Sequence, residues 1–116
     1  MIGHSDGGPV YKLDDPNYQR LADVLERAYD QAARGKGEER HANGQRFEDQ
    51  PMQTISGLLK TDGGMAFQAI KKIQEARRLP TRERRVAELL GAINYIAGMV
   101  IYEERATKNE AAEFIG

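Results

Sequence analysis

Residues 86–102, VAELLGAINYIAGMVIY, constrain the fold of this 116-residue chain more than any other stretch. Its apolar residues recur at spacings of four, three, four and three, at Val86, Leu90, Ile93, Ala97 and Val100. This spacing is typical of a helix face that packs on other helices. Further apolar residues extend the face around most of the helix, at Leu89, Ile96 and Ile101. The stretch therefore predicts a helix that is buried on several sides.

Three more helices are predicted before this one. Asp15-Pro16 indicates an N-cap followed by a first-turn proline, and the 3.6-residue period then continues through residues 16–34, up to Gly35. Pro51 begins a second helix that ends at Lys60, with inward positions predicted at Met52, Ile55 and Leu58 or Leu59. A third helix covers residues 65–78, with its inner edge predicted at Ala66, Ala69 or Ile70, Ile73, and Ala76 or Arg77. Leu79-Pro80 ends that helix, and Thr81 caps the last one, which can continue to Ala112.

These patterns predict one all-α domain, a compact four-helix unit with a long C-terminal helix that assembles as a homo-oligomer. Residues 1–14 are predicted to be a flexible arm and residues 15–116 the helical domain. The chain has no cysteine, so a disulfide framework is excluded. No signal peptide is visible, and the apolar run at residues 93–102 is shorter than the ~20 residues that a membrane span needs. A net charge of −1 argues against nucleic acid as a partner.

The long loop at residues 35–44, GKGEERHANG, is the first candidate binding site. Its glycines would let backbone amides approach an anion, and Lys36, Arg40 and His41 would add charge and hydrogen-bond donors. The spacing of a Walker phosphate-binding loop is absent. The alternative is a solvated connection between two helices.

A basic cluster at residues 71–85 is the second candidate, because it holds seven bases against two acids. Arg82, Arg84 and Arg85 begin the last helix, whose N-terminus favours anions. The alternative is a solvated basic face.

Asn94 is the third candidate, because it is an amide inside an otherwise apolar stretch. It would either fix the register of packed helices or recognise a base or ribose between them. Gly91 and Gly98 lie on one side of the same helix and would allow a backbone or a flat ring to come close.

A metal site is poorly supported by the sequence. Its candidate ligands are Glu38, Glu39, Glu48, Asp49 and Glu88. None of them forms the paired carboxylates on facing helices that magnesium–phosphate chemistry needs. No nucleophilic triad is marked by spacing either.

Two resemblances add to these patterns. The runs GKGEERHANGQRFEDQPM, MAFQAIKKIQEARRLP and ELLGAINYIAG resemble a family of short accessory proteins of tailed bacteriophages and prophages, over about residues 25–103. That resemblance implies a role in nucleotide metabolism or in countering host defence. More loosely, residues 69–75 and 88–94 resemble two helices of the all-α NTP pyrophosphohydrolases. The paired carboxylates by which those enzymes hold metal have no counterpart in this sequence, since Gly91 follows Glu88 at the relevant spacing.

Together these features favour a cytoplasmic homo-oligomer, in a host bacterial cell, that sequesters a small phosphorylated ligand of nucleotide type. Its role would be anti-defence, against a host immune signal, and we expect binding without a cofactor rather than catalysis. The predicted ligand-binding residues are Lys36, Arg40, His41, Arg46, Arg84, Arg85 and Asn94. One alternative is a divergent nucleotide pyrophosphohydrolase with Glu38, Glu39 and Glu88 as metal ligands. The other is a protein that inhibits a host factor through the loop and the first helix.

Overall fold

A computed structural model describes residues 12–35 and 44–115, with the side chains of the last helix described up to Ala106. Four α-helices occur in these ranges: α1 (Gln19–Arg34), α2 (Pro51–Leu59), α3 (Gly63–Ala76) and α4 (Arg82–Ile115). Two 3₁₀ turns, Pro16–Tyr18 and Phe47–Asp49, precede α1 and α2. Across the same ranges there is no β-strand. The prediction of an all-α chain with four helices and a long C-terminal helix is confirmed.

The predicted start and end of the first helix are confirmed. Asp15 accepts a hydrogen bond from the backbone N–H of Asn17 at 2.9 Å, and Pro16 follows it in the first turn. Gly35 ends α1, with its N–H bonded to the carbonyl oxygen of Gln31 at 3.1 Å. A Cβ at Gly35 would lie only 2.9 Å from that oxygen, so the close approach of two backbone segments favours glycine there.

The predicted inner face of α2 is confirmed for Met52, which packs on Gly98, and is wrong for the other large residues. Ile55, Leu58 and Leu59 are 52%, 82% and 61% exposed. Gln53 and Ser56 are buried instead, because the side-chain N–H of Gln53 donates to the carbonyl oxygen of Gly98 at 2.8 Å. A tertiary hydrogen bond to α4 therefore decides which side of this nine-residue helix faces inward.

The helices α3 and α4 form an antiparallel pair. Gly91 lies against the side chain of Lys72, and Gly98 lies against those of Met65 and Met52. Both glycines thus allow a close approach, and the groups that approach are side chains of α2 and α3. On α3 the buried residues are Met65, Ala69 and Ala76, whereas the predicted inward residue Ile73 is 43% exposed.

The turn between α3 and α4 is fixed by two hydrogen bonds. The hydroxyl of Thr81 accepts from the backbone N–H of Arg84 at 3.2 Å, which confirms Thr81 as the cap of α4. The guanidinium of Arg85 donates to the carbonyl oxygen of Leu79 at 2.9 Å. The 34 residues of α4 then extend about 51 Å at 1.5 Å per residue.

The buried core is small for the number of apolar residues. Among the residues that the structure describes, its apolar members are five alanines and Met65. The helix of residues 86–102 is not buried on several sides within one chain, because Leu89, Ile96 and Val100 are 44%, 48% and 54% exposed. The three other helices, of 16, 9 and 14 residues, pack on other sides of α4, which has 34 residues.

Within the part of the chain that the structure describes, one segment is long and apolar enough to cross a membrane. It is Arg82–Ala106, with a mean hydropathy of 1.3 in its most apolar window, of which 17% is buried. The prediction from sequence against a membrane span considered residues 93–102 alone. The apolar part of this helix extends beyond them. A helix that is buried in an assembly of chains meets the same criteria.

Candidate functional site

A cleft of about 630 Å³ lies between the C-terminal end of α1, the turn Phe47–Asp49, α3 and the first half of α4. Its volume is in the range of clefts that hold a small organic ligand. On α4 its lining extends from Arg84 to Tyr95, a distance of about 16 Å along the helix axis. The two ends of the cleft differ in their chemistry.

One end of the cleft is basic. Arg78, just after α3, and Arg84, in the first turn of α4, both line it and are both exposed. Neither arginine forms an ion pair with any residue that the structure describes. The N-terminus of α4 adds the positive end of a helix dipole beside them. This end of the cleft is suited to an anion with several oxygen atoms.

The middle of the cleft contains charges of both signs. Lys72 and Glu88 line it and lie 3.6 Å apart, nitrogen to oxygen, with each side chain 26% exposed. Glu75 also lines the cleft, and Lys71 lies 4.0 Å from it. Among the described residues, the lining charges are thus three bases and two acids, and both acids have a basic partner.

The other end of the cleft is aromatic and rich in amides. Phe47, Gln50, Asn94 and Tyr95 line it. The Tyr95 phenol is protonated at neutral pH and can donate a hydrogen bond, and burial raises its pKa further above the ordinary value of 10.0. Planar rings and amide groups are what a nucleobase and a sugar would contact.

Asn94 is both a structural residue and a lining residue. Its side-chain nitrogen donates to the carbonyl oxygen of Ala28 at 2.9 Å. Gln31, in the next turn of α1, donates to the carbonyl oxygen of Ala87 at 3.0 Å. Asn94 therefore holds two helices together, and its amide oxygen has no hydrogen-bond partner among the residues described.

The turn Phe47–Asp49 is held against α4 by one arginine. The guanidinium of Arg105 donates to the carbonyl oxygen of Glu48 at 2.5 Å and lies 3.4 Å from a carboxylate oxygen of Asp49. Phe47 and Gln50 lie on either side of those two residues and line the cleft. Arg105 thus positions one wall of the cleft from outside it.

The structure places some of the predicted binding residues in the cleft and others outside it. Arg84 and Asn94 line the cleft, whereas Arg46 and Arg85 do not. Lys36, Arg40 and His41 fall outside the described residues.

Other residues of the cleft lining were missed as binding candidates, including Phe47, Gln50 and Tyr95. Lys72 and Arg78 belong to the basic cluster at residues 71–85, although they were not among the predicted ligand-binding residues. The spacing of Lys72, Glu75 and Leu79 by three and four residues places them on one side of a helix within that cluster, which was a signal for this part of the lining.

Two of the candidate metal ligands that the structure describes form ion pairs with basic residues. Glu88 pairs with Lys72, and Asp49 pairs with Arg105. In residues 12–35 and 44–106 no three histidine, aspartate or glutamate side chains come together as a metal site would need. Glu38 and Glu39 lie outside those residues.

No protein-family model, curated protein or solved structure matches this chain. The resemblances to phage accessory proteins and to NTP pyrophosphohydrolases stay predictions.

Proposed function

We propose that this protein binds a small phosphorylated ligand of nucleotide type in the cleft over α4 and retains it without cleaving it. The observation that supports this most is the polarity of the cleft. Two arginines that form no ion pair with any described residue lie at one end, and Tyr95 lies about 16 Å away along α4 at the other. A nucleotide has the same polarity, with phosphate at one end and a flat base at the other.

The basic end would bind the phosphate. Arg78 and Arg84 can each offer two parallel N–H groups to phosphate oxygens, and an arginine contact of this kind is directional as well as strong. The N-terminus of α4 favours the same negative charge. Lys72 would contribute less, because Glu88 already neutralises it.

The aromatic end would bind the base and the sugar. Phe47 or Tyr95 can stack on a base, and the protonated Tyr95 phenol can donate to a ring nitrogen or a carbonyl. The amide oxygen of Asn94 can accept from an exocyclic amine or a ribose hydroxyl. These contacts would favour a nucleotide over inorganic phosphate.

The ion pairs of the carboxylates in the cleft favour retention of the ligand over its hydrolysis. Hydrolysis of a phosphoanhydride with magnesium needs carboxylates that converge on the metal. Glu88 and Glu75 each lie beside a lysine instead. Sequestration of a nucleotide signal, by a homo-oligomer in the host cytoplasm, fits the resemblance to phage accessory proteins and is the role we propose.

Calorimetric titration with linear and cyclic nucleotides tests this function. We expect heat of binding for wild type, and at least a tenfold weaker affinity for Arg84→Ala. Arg77→Ala is the matched control, because Arg77 is an exposed arginine at the end of α3 that does not line the cleft. Uniformly flat traces for wild type would reject the proposal.

A second candidate is hydrolysis by a divergent pyrophosphohydrolase, since Glu75 and Glu88 both line the cleft. Recovery of the ligand after the complex is denatured separates the two functions. Sequestration returns the nucleotide intact. Hydrolysis returns a monophosphate, requires magnesium and is lost in Glu88→Gln.

A further inference from the structure

An apolar seam along α4 has no partner within the described part of the chain. This α4 seam consists of Val86, Leu89, Ile93, Ile96 and Val100. Leu89, Ile96 and Val100 are each more than two fifths exposed, and Val86 and Ile93 are half-buried. We propose that a second copy of this chain docks on the α4 seam, with the two α4 helices antiparallel.

The spacing of the α4 seam is that of a helix–helix contact. Its members follow one another at three, four, three and four residues. Such a repeat keeps one apolar line facing a neighbouring helix along its whole length. The sequence had pointed to a neighbouring line that shares Val86, Ile93 and Val100 with the seam and runs through Leu90 and Ala97. Ala97 is exposed as well, so both lines lie on the side of α4 that the other described helices leave uncovered.

The α4 seam lies on the side of the helix that is away from the cleft. At 100° per residue, its mean direction is roughly 180° from that of the cleft-lining positions of α4, which extend from Arg84 to Tyr95. On α3 the exposed Ile70 and Ile73 likewise lie roughly opposite the cleft-lining Lys72 and Glu75. Docking on this side would leave both clefts of a dimer open and facing outward.

The α4 seam itself presents apolar area for such a contact. Leu89, Ile96 and Val100 are 44%, 48% and 54% exposed. A second copy of the chain is always available as a partner, and it presents the same exposed α4 seam.

Charge favours the antiparallel arrangement. A two-fold axis at Ile93 places Val86 opposite Val100 of the partner subunit and Leu89 close to Ile96 of the partner subunit. The same axis places the exposed Arg82 opposite Glu104 of the partner subunit. A parallel pair would instead put like charges together at both ends of the α4 seam.

Light scattering after size-exclusion chromatography tests the dimer. We expect wild type at twice 13.0 kDa or an even multiple of it, and Ile96→Glu as a folded particle of 13.0 kDa. Leu58→Glu is the matched control, because Leu58 is 82% exposed on α2, away from the α4 seam, and this variant should keep the wild-type mass. Circular dichroism verifies that each variant is helical.

A charge exchange tests the orientation. Arg82→Glu and Glu104→Arg should each weaken self-association at least threefold, and the double variant should restore it. The antiparallel orientation is contradicted if the double variant is as weak as the single ones.

Three results would overturn docking at the α4 seam. The first is a wild-type monomer at micromolar concentration. The second is such a monomer that co-sediments with phosphatidylcholine vesicles, which would assign the seam to a membrane. The third is a dimer that survives Ile96→Glu and is lost in Leu25→Glu, which would move the contact to the exposed face of α1. Nucleotide titration of the Ile96→Glu monomer keeps this test separate from the proposed function, since the cleft does not include the seam.

Discussion

The side-chain amide of Asn94 donates a hydrogen bond to the backbone carbonyl oxygen of Ala28 at 2.9 Å, and so joins α4 to α1 beside the cleft. Replacing Asn94 by leucine keeps the size of the side chain and removes the donor. We expect a loss of about 1 kcal/mol in the free energy of unfolding, the net worth of one hydrogen bond. Urea unfolding measures it. Gln74→Leu, at an exposed amide on α3, should change stability by less than about 0.5 kcal/mol.

Two helical glycines should respond to alanine in opposite directions. A Cβ at Gly98 would lie 2.8 Å from the sulfur of Met65, which is 2% exposed, so Gly98→Ala should destabilise the fold by about 1–3 kcal/mol. A Cβ at Gly57 meets nothing within 4 Å, and Gly57→Ala should stabilise the fold by about 0.5–1 kcal/mol. Thermal unfolding of the two variants checks both signs. Equal stabilisation of both variants would mean that helix propensity, and not space, governs Gly98.

Glu88→Gln should distinguish binding from hydrolysis by the sign of its effect. Glu88 lies 3.6 Å from Lys72 in the cleft, and removing its charge leaves Lys72 available to phosphate. We expect nucleotide affinity to rise by about 1 kcal/mol, roughly fivefold, after allowance for partial exposure. Calorimetry measures the change. If Glu88 were a metal ligand, the same variant would lose magnesium-dependent binding and turnover.

Arg105→Ala should loosen one wall of the cleft. Without its hydrogen bond to Glu48 and its ion pair with Asp49, the turn Phe47–Asp49 has less to hold it on α4. We expect faster amide hydrogen exchange at residues 44–50 and weaker nucleotide binding. Arg27→Ala, which breaks an ion pair within α1, is the control and should leave exchange in that turn unchanged.

Tyr95 makes stability depend on pH in the alkaline range. Its native pKa is raised above 10.0 by burial, so the native state keeps the phenol proton to a higher pH than the unfolded chain does. This contribution is fully present below about pH 10 and is lost as the pH rises through the native pKa. Urea unfolding at a series of pH values should show a decline that is smaller in Tyr95→Phe. The phenol itself can be followed by tyrosinate absorbance, as the difference between the two proteins.

Much of the local structure could be predicted because it depends on neighbours in the chain. Asp15, Thr81 and the proline residues mark helix ends through hydrogen bonds and backbone limits within a few residues. The inner face of α2 could not be predicted, since the hydrogen bond from Gln53 to Gly98 joins residues that are 45 positions apart.

The candidate site likewise contains residues that the sequence could identify and residues that it could not. Arg84 and Asn94 stood out by residue type, as a basic residue at a helix start and an amide in an apolar run. Phe47 and Gln50 did not, because the turn before α2 is held against α4 by Arg105, which is 57 positions away from Glu48 in the chain.

For residues 86–102, the sequence alone determined a helix with more apolar surface than one partner can cover, because periodicity is a local property of the chain. Only the tertiary structure decided which parts of that surface are buried and which parts stay exposed. Ala28, Met65 and the other packed groups occupy the sides that hold Asn94 and Gly98, and the α4 seam is left exposed. The physical reason is that burial depends on which segments distant in sequence come together, and apolar spacing does not specify them.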